Sequence, residues 1–308
     1  MNTLLFSHPA CLQHDTGAGH PESAERLQAV LDRLSGPEFD GLARRSAPPA
    51  GREQLSRVHD ISYISRVFES APEQGEAWLS PDSVMMPGSR EASLRAAGAV
   101  CAAVDAVAAG EARNAFCAVR PPGHHAGSGN TMGFCIYNNV AVGAAHARAA
   151  HGYGRVAVVD FDVHHGNGTQ AIFRHTPEVF FASIHQSLIF PKTGSSNEVG
   201  VGNIVNVPLA RKTDVGAFRR AFQEKILSRL RDFAPEFLFI SAGFDAHARD
   251  PIGDQRLRSH DFAWLTAGLM RVAEACCDGR LVSVLEGGYS PEALADACAA
   301  HVRTLMGS

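Results

Sequence analysis

Carboxylates and imidazoles crowd the end of an apolar run in "VVDFDVHHGNGTQ" (158–170), at Asp160, Asp162, His164 and His165. Charge is expensive to bury there unless it is paired or bound to a metal. Alternation along an extended chain sends Asp160, Asp162 and His164 to one side and Phe161 and Val163 to the other. Asp162 and His164, joined by one further carboxylate, form a ligand set for a divalent metal and leave a coordination position open, which marks a catalytic rather than a structural site. Two further apolar runs end in the same way. "FLFISAGFD" (237–245) closes on Asp245, and "LVSVLEGGYS" (281–290) passes into Glu286, Gly287, Gly288 and Tyr289. Asp245 alone reads as the cap of the following turn. With Asp162 and His164 it reads as a third ligand.

The loop "VRPPGHHAGSGNTMGFCIYNN" (119–139) sets His124 and His125 side by side behind a Pro-Pro-Gly turn. Adjacent imidazoles in a rigid turn suit a base and an electrostatic partner for a metal-activated water. His146, His151, His175 and His301, among the fifteen histidines, read instead as residues that satisfy turns or the core.

These groups need strands that end together. Apolar, β-branched runs recur at 3–7, 115–119, 156–163, 179–185, 203–209, 237–245 and 281–288, and helical stretches lie at 89–109, 138–150, 214–233, 259–277 and 291–306. Continuous apolar strands alternating with helices predict one α/β domain over 1–308, a mainly parallel multi-stranded sheet flanked by helices. Its active site belongs in loops at the C-terminal ends of the strands. Long loops are expected at 35–52, 70–88, 121–133, 186–202 and 246–258.

Composition narrows the class. Of 308 residues, 45% are hydrophobic and 19% charged, which suits a globular enzyme, and the net charge of −4 comes with no basic run that would grip nucleic acid. No stretch approaches the ~18 apolar residues of a spanning helix. "MNTLLFSHPACLQHD" lacks the basic start of a secretory signal, so a cytoplasmic protein is expected. Seven cysteines without a Cys-x-x-Cys pair read as reduced and mostly buried, so metal ligands must come from His and carboxylate. Self-association is left open.

In order along the chain, "GHPESAERL" (19–27), "VHDISYI" (58–64), "RPPGHHA" (120–126), "MGFCIYNNVAVGA" (132–144), "DFDVHHGNGTQ" (160–170), "SIH" (183–185), "SAGFDAHARDPIG" (241–253) and "LEGGY" (285–289) resemble the histone deacetylase family. These are zinc-dependent amidohydrolases of arginase-like α/β fold, and the likeness is to the class II and bacterial branch. The resemblance implies that Asp162, His164 and Asp245 bind Zn²⁺, that His124 and His125 are the tandem catalytic histidines, and that Tyr289 polarises the scissile carbonyl. It makes Asp160 the residue that orients His124. Asn167 stands where many class I members carry Asp, a neutral partner that leaves His125 neutral more readily.

The resemblance further implies structural K⁺ or Na⁺ at two positions. Asp160, Asp162, His164, Ser183 and Ile184 would hold the first, and Phe173, Thr176 and Val179 the second. Phe134, with Gly133 beside it, and Phe190 would wall an acyl-lysine tunnel. Asp82 would lie at its rim, and Arg26 either near a cavity behind the metal or on a helix surface.

Polyamine-specific relatives carry a Glu in the loop after the third ligand. Ile252 aligns there and offers no charge to a cationic substrate, which favours acyl-lysine in proteins or peptides over small N-acyl amines. Two other readings stand beside the deacylase. An arginase-like ureohydrolase would want further carboxylate ligands where this chain has His124, His125 and Tyr289. A silent acyl-lysine binding module would not need them intact.

Overall fold

Each of the seven apolar runs overlaps a strand. The computed structural model, which describes residues 3–307, joins those seven and one more into a single sheet. The strands are β1 (Thr3–Ser7), β2 (Ala43–Ser46), β5 (Asn114–Cys117), β6 (Val156–Asp160), β7 (Val179–Gln186), β8 (Ile204–Leu209), β9 (Phe237–Ala242) and β10 (Leu281–Leu285). Their order is β2-β1-β5-β10-β9-β6-β7-β8, and every pairing is parallel. A separate antiparallel hairpin pairs β3 (Ala77–Ser80) with β4 (Ser83–Met85) inside the expected 70–88 loop.

The expected α/β class with a mainly parallel sheet is therefore present. β5, β10, β9 and β6 are neighbours at the centre, and all their residues are buried. Helices cover both faces, as continuously apolar parallel strands require. The largest contributors are Ser89–Ala108, Asn139–His151, Ser259–Cys277 and Pro291–Leu305. Because the central strands run the same way, their C-terminal ends share one edge, and the loops that carry His124, His125, Asp162, His164, Asp245 and Tyr289 leave from it.

Two expectations change. The stretch 214–233, read as one helix, runs as Val215–Ala221, a π-helical segment Phe222–Leu227 and then Ser228–Phe233. The wider turn brings Phe222, Ile226 and Leu227 to the core side together. More important for function, β6 stops at Asp160, so Asp162 and His164 do not ride a strand face. They lie in a loop whose backbone amides leave the ladder and bond to side chains. Asp162 N donates to Asp160 Oδ1 (3.0 Å), Val163 N to Asp245 Oδ1 (2.7 Å) and His164 N to Asp162 Oδ1 (2.8 Å). The carboxylates shape the loop that carries them.

Candidate active site

β6 and β9 are direct neighbours, and the loops leaving them bring Asp162, His164 and Asp245 together, all buried. Their ligand atoms all lie within 4.8 Å of one another, with His164 Nδ1 3.0 Å from Asp162 Oδ1 and 3.1 Å from Asp245 Oδ2. Gly287, in the loop after β10, lines the same spot. A Cβ there would lie 2.5 Å from Asp162 Oδ2 and nearer still to Asp245 Oδ2, so the position must be glycine.

Electrostatics defines the charge the cluster favours. Burial and the Asp162 charge push the Asp245 carboxyl up to about 7. Burial also works against charge on His164, yet its bonds to Asp162 and Asp245 outweigh this and raise it to about 10. Two buried carboxylates each cost several kcal/mol to desolvate, and an extra proton on the imidazole stands in for a cation. These residues therefore fit a divalent metal of the borderline kind that takes nitrogen and oxygen donors together.

A second His and carboxylate group differs. His146 Nε2 and His151 Nε2 both lie 2.7 Å from Asp105 Oδ1, and Arg57 bonds to His146 Nδ1. An Arg can only donate, so His146 keeps its proton on Nε2 and bonds Asp105 rather than a metal. His301 bridges Thr266 Oγ1 (2.6 Å) and Ser283 Oγ (2.8 Å) in the core, and exposed His175 accepts from Arg174. Four histidines read as structural are thus all engaged in such bonds.

The loop after β5 turns His124 and His125 toward the ligand cluster. Glu286, at the end of β10, holds that turn by accepting from Gly123 N (2.6 Å) and His124 N (3.2 Å). Asp160 Oδ2 lies 2.9 Å from His124 Nδ1, and Asn167 Oδ1 lies 2.7 Å from His125 Nδ1. The two imidazoles then diverge. Burial opposes charge on His124, but Asp160 and Asp162 outweigh it and raise His124 well above its ordinary value. Burial holds His125 well below its ordinary value, and the positive charges of His124 and His164 add to the effect. Asn167 is also the first residue of the helix Asn167–Phe173.

Above the cluster lies a cavity of about 240 Å³ lined by Asp82, His125, Gly133, Phe134, His164, Phe190, Ile252 and Tyr289. Its floor is buried, at His125 and His164, and its mouth is open, with Phe190 and Ile252 each 39% exposed. Gly133 and Phe134 take left-handed backbone conformations (φ 58° and 68°), and a Cβ on Gly133 would strike the His125 ring. Asp82 fixes this stretch. It accepts from Gly133 N (3.0 Å), Ser80 Oγ (2.6 Å) and Ser83 Oγ (3.1 Å).

Tyr289 reaches the cavity from the loop after β10. Burial pushes its phenol well above the ordinary value, so it stays a proton donor at neutral pH. Arg26 is buried beneath it, 4.9 Å from the ring centroid, and donates to the carbonyls of Gly288 and Glu286 (2.7 Å to the latter), which removes the helix-surface alternative. Glu22 pairs with both Arg26 (2.8 Å) and Arg120 (2.5 Å).

Sequence reasoning missed Glu22, Arg120 and the holding role of Glu286. It also missed Asp250, which accepts from Tyr289 N (2.7 Å), Ile252 N (2.9 Å) and Gly253 N (3.0 Å) and so ties the rim loop to the tyrosine. Only the four-residue spacing of Glu22 and Arg26 hinted at any of these, although Glu22 stands just ahead of the helix Ala24–Arg33 that carries Arg26.

The two implied monovalent positions differ. Residues of the first gather where β6 ends beside β7, with Asp160 and Ser183 register partners and Asp160, Asp162, His164, Ser183 and Ile184 all buried. At the second, the carbonyl oxygens of Phe173, Thr176 and Val179 accept from the side-chain amide of Asn203, so the residues present do not leave that position free for a cation.

A parallel sheet that brings two carboxylates, three imidazoles and a phenol together at and beneath an aromatic-walled pocket defines an α/β fold of the arginase and deacetylase kind. Sequence comparison says which. The histone deacetylase domain model matches residues 20–305, and the chain belongs to the histone deacetylase family of deacetylases and amidohydrolases. A histone deacetylase-like amidohydrolase of Pseudomonas aeruginosa is 44% identical over 94% of this chain and 82% of its own length. The human polyamine deacetylase HDAC10 is 36% identical over 99% of this chain and 46% of its own length. Among solved structures, that of the HDA15 HD domain superposes with a TM-score of 0.94 at 32% identity, covering 99% of this chain and 88% of that one. No described helix is long and apolar enough to cross a membrane.

Proposed function

We propose that the chain is a zinc-dependent deacylase that hydrolyses linear N-acyl amides, with acetyl-lysine in proteins or peptides as its substrate. The observation that carries this is the pocket itself, a cavity of about 240 Å³ lined by Phe134 and Phe190 together with His125, His164 and Tyr289. Aromatic walls suit the methylene stem of a lysine. Asp162, His164 and Asp245 would hold the zinc, which supplies Lewis-acid polarisation of the amide and makes water acidic enough to attack near neutral pH.

The chain's own groups do the rest. His125, neutral and anchored through Nδ1 by Asn167, takes the proton of the attacking water at Nε2 and hands it to the departing amine. His124, anchored by Asp160, carries positive charge beside the developing anion. The Tyr289 hydroxyl donates to the carbonyl oxygen as it gains charge. A K⁺ or Na⁺ at the Asp160, Asp162, His164, Ser183 and Ile184 position belongs to the same proposal.

A second reading, hydrolysis of acetylpolyamines, draws support from the likeness to polyamine deacetylase HDAC10. Ile252 at the pocket mouth argues against it, since an apolar side chain gives no attraction to a polycation. The test is a comparison of kcat/KM for an acetyl-lysine peptide, longer acyl-lysines and N-acetylpolyamines, with a hydroxamate as inhibitor. Acetyl-lysine should lead and the hydroxamate should block it. A lead for acetylpolyamine would move the assignment to the second reading, and binding of acyl-lysine without turnover of any amide would make the chain a binding module.

A further inference from the structure

Three carbonyl oxygens converge where the helix Asn167–Phe173 gives way to β7. Asn203 Nδ2 lies 2.9 Å from Phe173 O, 3.0 Å from Thr176 O and 2.7 Å from Val179 O, while Asn203 Oδ1 accepts from Val201 N at 3.2 Å. Asn203 is only 4% exposed and stands immediately before β8.

Carbonyl oxygens that point at one spot repel unless something positive lies between them. An amide NH₂ brings two hydrogens and a partial positive charge, and all three distances fall in the hydrogen-bond range, so one hydrogen is shared. The reversed amide would set Oδ1 against three oxygens and Nδ2 against the Val201 N–H, which only a cation could rescue. We propose that the Asn203 carboxamide is the resident occupant of this carbonyl cage, in the place where the family resemblance puts a second monovalent cation, so that a covalently attached donor does the work of an ion.

The cage matters for the site because of what it joins. The helix it terminates begins at Asn167, the partner of His125, and the strand it precedes carries Ser183 opposite Asp160. Asn203 O also accepts from Phe181 N (3.0 Å), so one residue ties β7, the helix end and the start of β8. A donor on the chain holds this junction whatever the salt.

Anomalous diffraction from crystals grown with thallium(I), a heavy stand-in for K⁺, tests the proposal directly. No thallium peak is expected among Phe173, Thr176 and Val179 in the wild-type protein. A peak there, with the Asn203 oxygen turned toward it, overturns the proposal. Thermal unfolding supplies a second measurement. Asn203→Ala should melt several degrees below wild type in tetramethylammonium chloride, whose cation is too large for the cage, and should recover more of its Tm in KCl than wild type gains. A variant that melts with the wild type in both salts also overturns the proposal. If Asn203→Ala does not fold, Asn203→Asp provides the same comparison, with a larger K⁺-dependent gain expected than for wild type.

Discussion

In the proposed reaction, Tyr289 and His125 would divide the chemistry between a group that must keep its proton and one that must lack it. Burial keeps the Tyr289 phenol protonated, and its hydroxyl is useful only where charge develops on the carbonyl. Removing one such donor typically costs ~10²–10³-fold in kcat. Tyr289→Phe should therefore lose about that much turnover in steady-state assays while binding zinc at wild-type stoichiometry. Equal turnover would remove Tyr289 from the reaction. In that reaction His125 would act as base only when neutral, and its value lies below the ordinary ~6.5 of histidine. Activity should thus persist as pH falls through ~6.5 and fail only lower. Asn167→Asp would place a carboxylate 2.7 Å from Nδ1, favour the imidazolium and move the acid limb of kcat/KM to higher pH. An unmoved or downward limb would show that Asn167 does not set the basicity of His125.

Between residues and fold stand the loops that leave β5, β6, β9 and β10. Their existence was legible, because apolar runs ending in Asp245, Asp162 and Tyr289 can only be buried strands with polar ends. Their shape was not. Alternation predicted Asp162 and His164 on a strand face, whereas three loop amides bond to Asp160, Asp162 and Asp245 and end the strand early. β2 and the β3–β4 hairpin were also invisible, because runs such as "ARRS" are short and polar and take their order from neighbours rather than from their own pattern. The loop after β10 makes the sharpest prediction. Gly287 is the floor under both carboxylates, so Gly287→Ala should lower zinc content well below one per chain, read by elemental analysis, in a protein whose circular dichroism spectrum is unchanged. Full zinc occupancy in that variant would mean that the cluster is not the metal site.

Across the whole molecule, charge buried far from water joins segments that lie far apart in sequence. Glu22 meets Arg120 across 98 residues, a pairing no local pattern announces, and it links the N-terminal region to the strand end that carries the tandem histidines. Burial alone would raise the Glu22 carboxyl, but Arg120 and Arg26 outweigh it and hold it at about 2, below the ordinary 4.5. A lowered carboxylate contributes stability that is fully present above 4.5 and is lost as pH falls toward about 2. Glu22→Gln should cost on the order of 3–5 kcal/mol at neutral pH, because it strands two buried guanidinium groups. It should also flatten the fall of Tm with acid. Wild-type acid sensitivity in this variant would assign that fall to other groups. By contrast, the parallel sheet, the family and the meeting of Asp162, His164 and Asp245 were all readable, since strand patterns and motif spacing are local signals that the fold then brings together.

The most direct measurement is a zinc titration of metal-stripped wild-type protein, following acetate release from an acetyl-lysine peptide. Turnover should be near zero without metal and rise to a plateau at one zinc per chain. Turnover that is indifferent to zinc, or absent at every zinc level, would contradict the assignment of Asp162, His164 and Asp245 as the centre of a zinc-dependent deacylase.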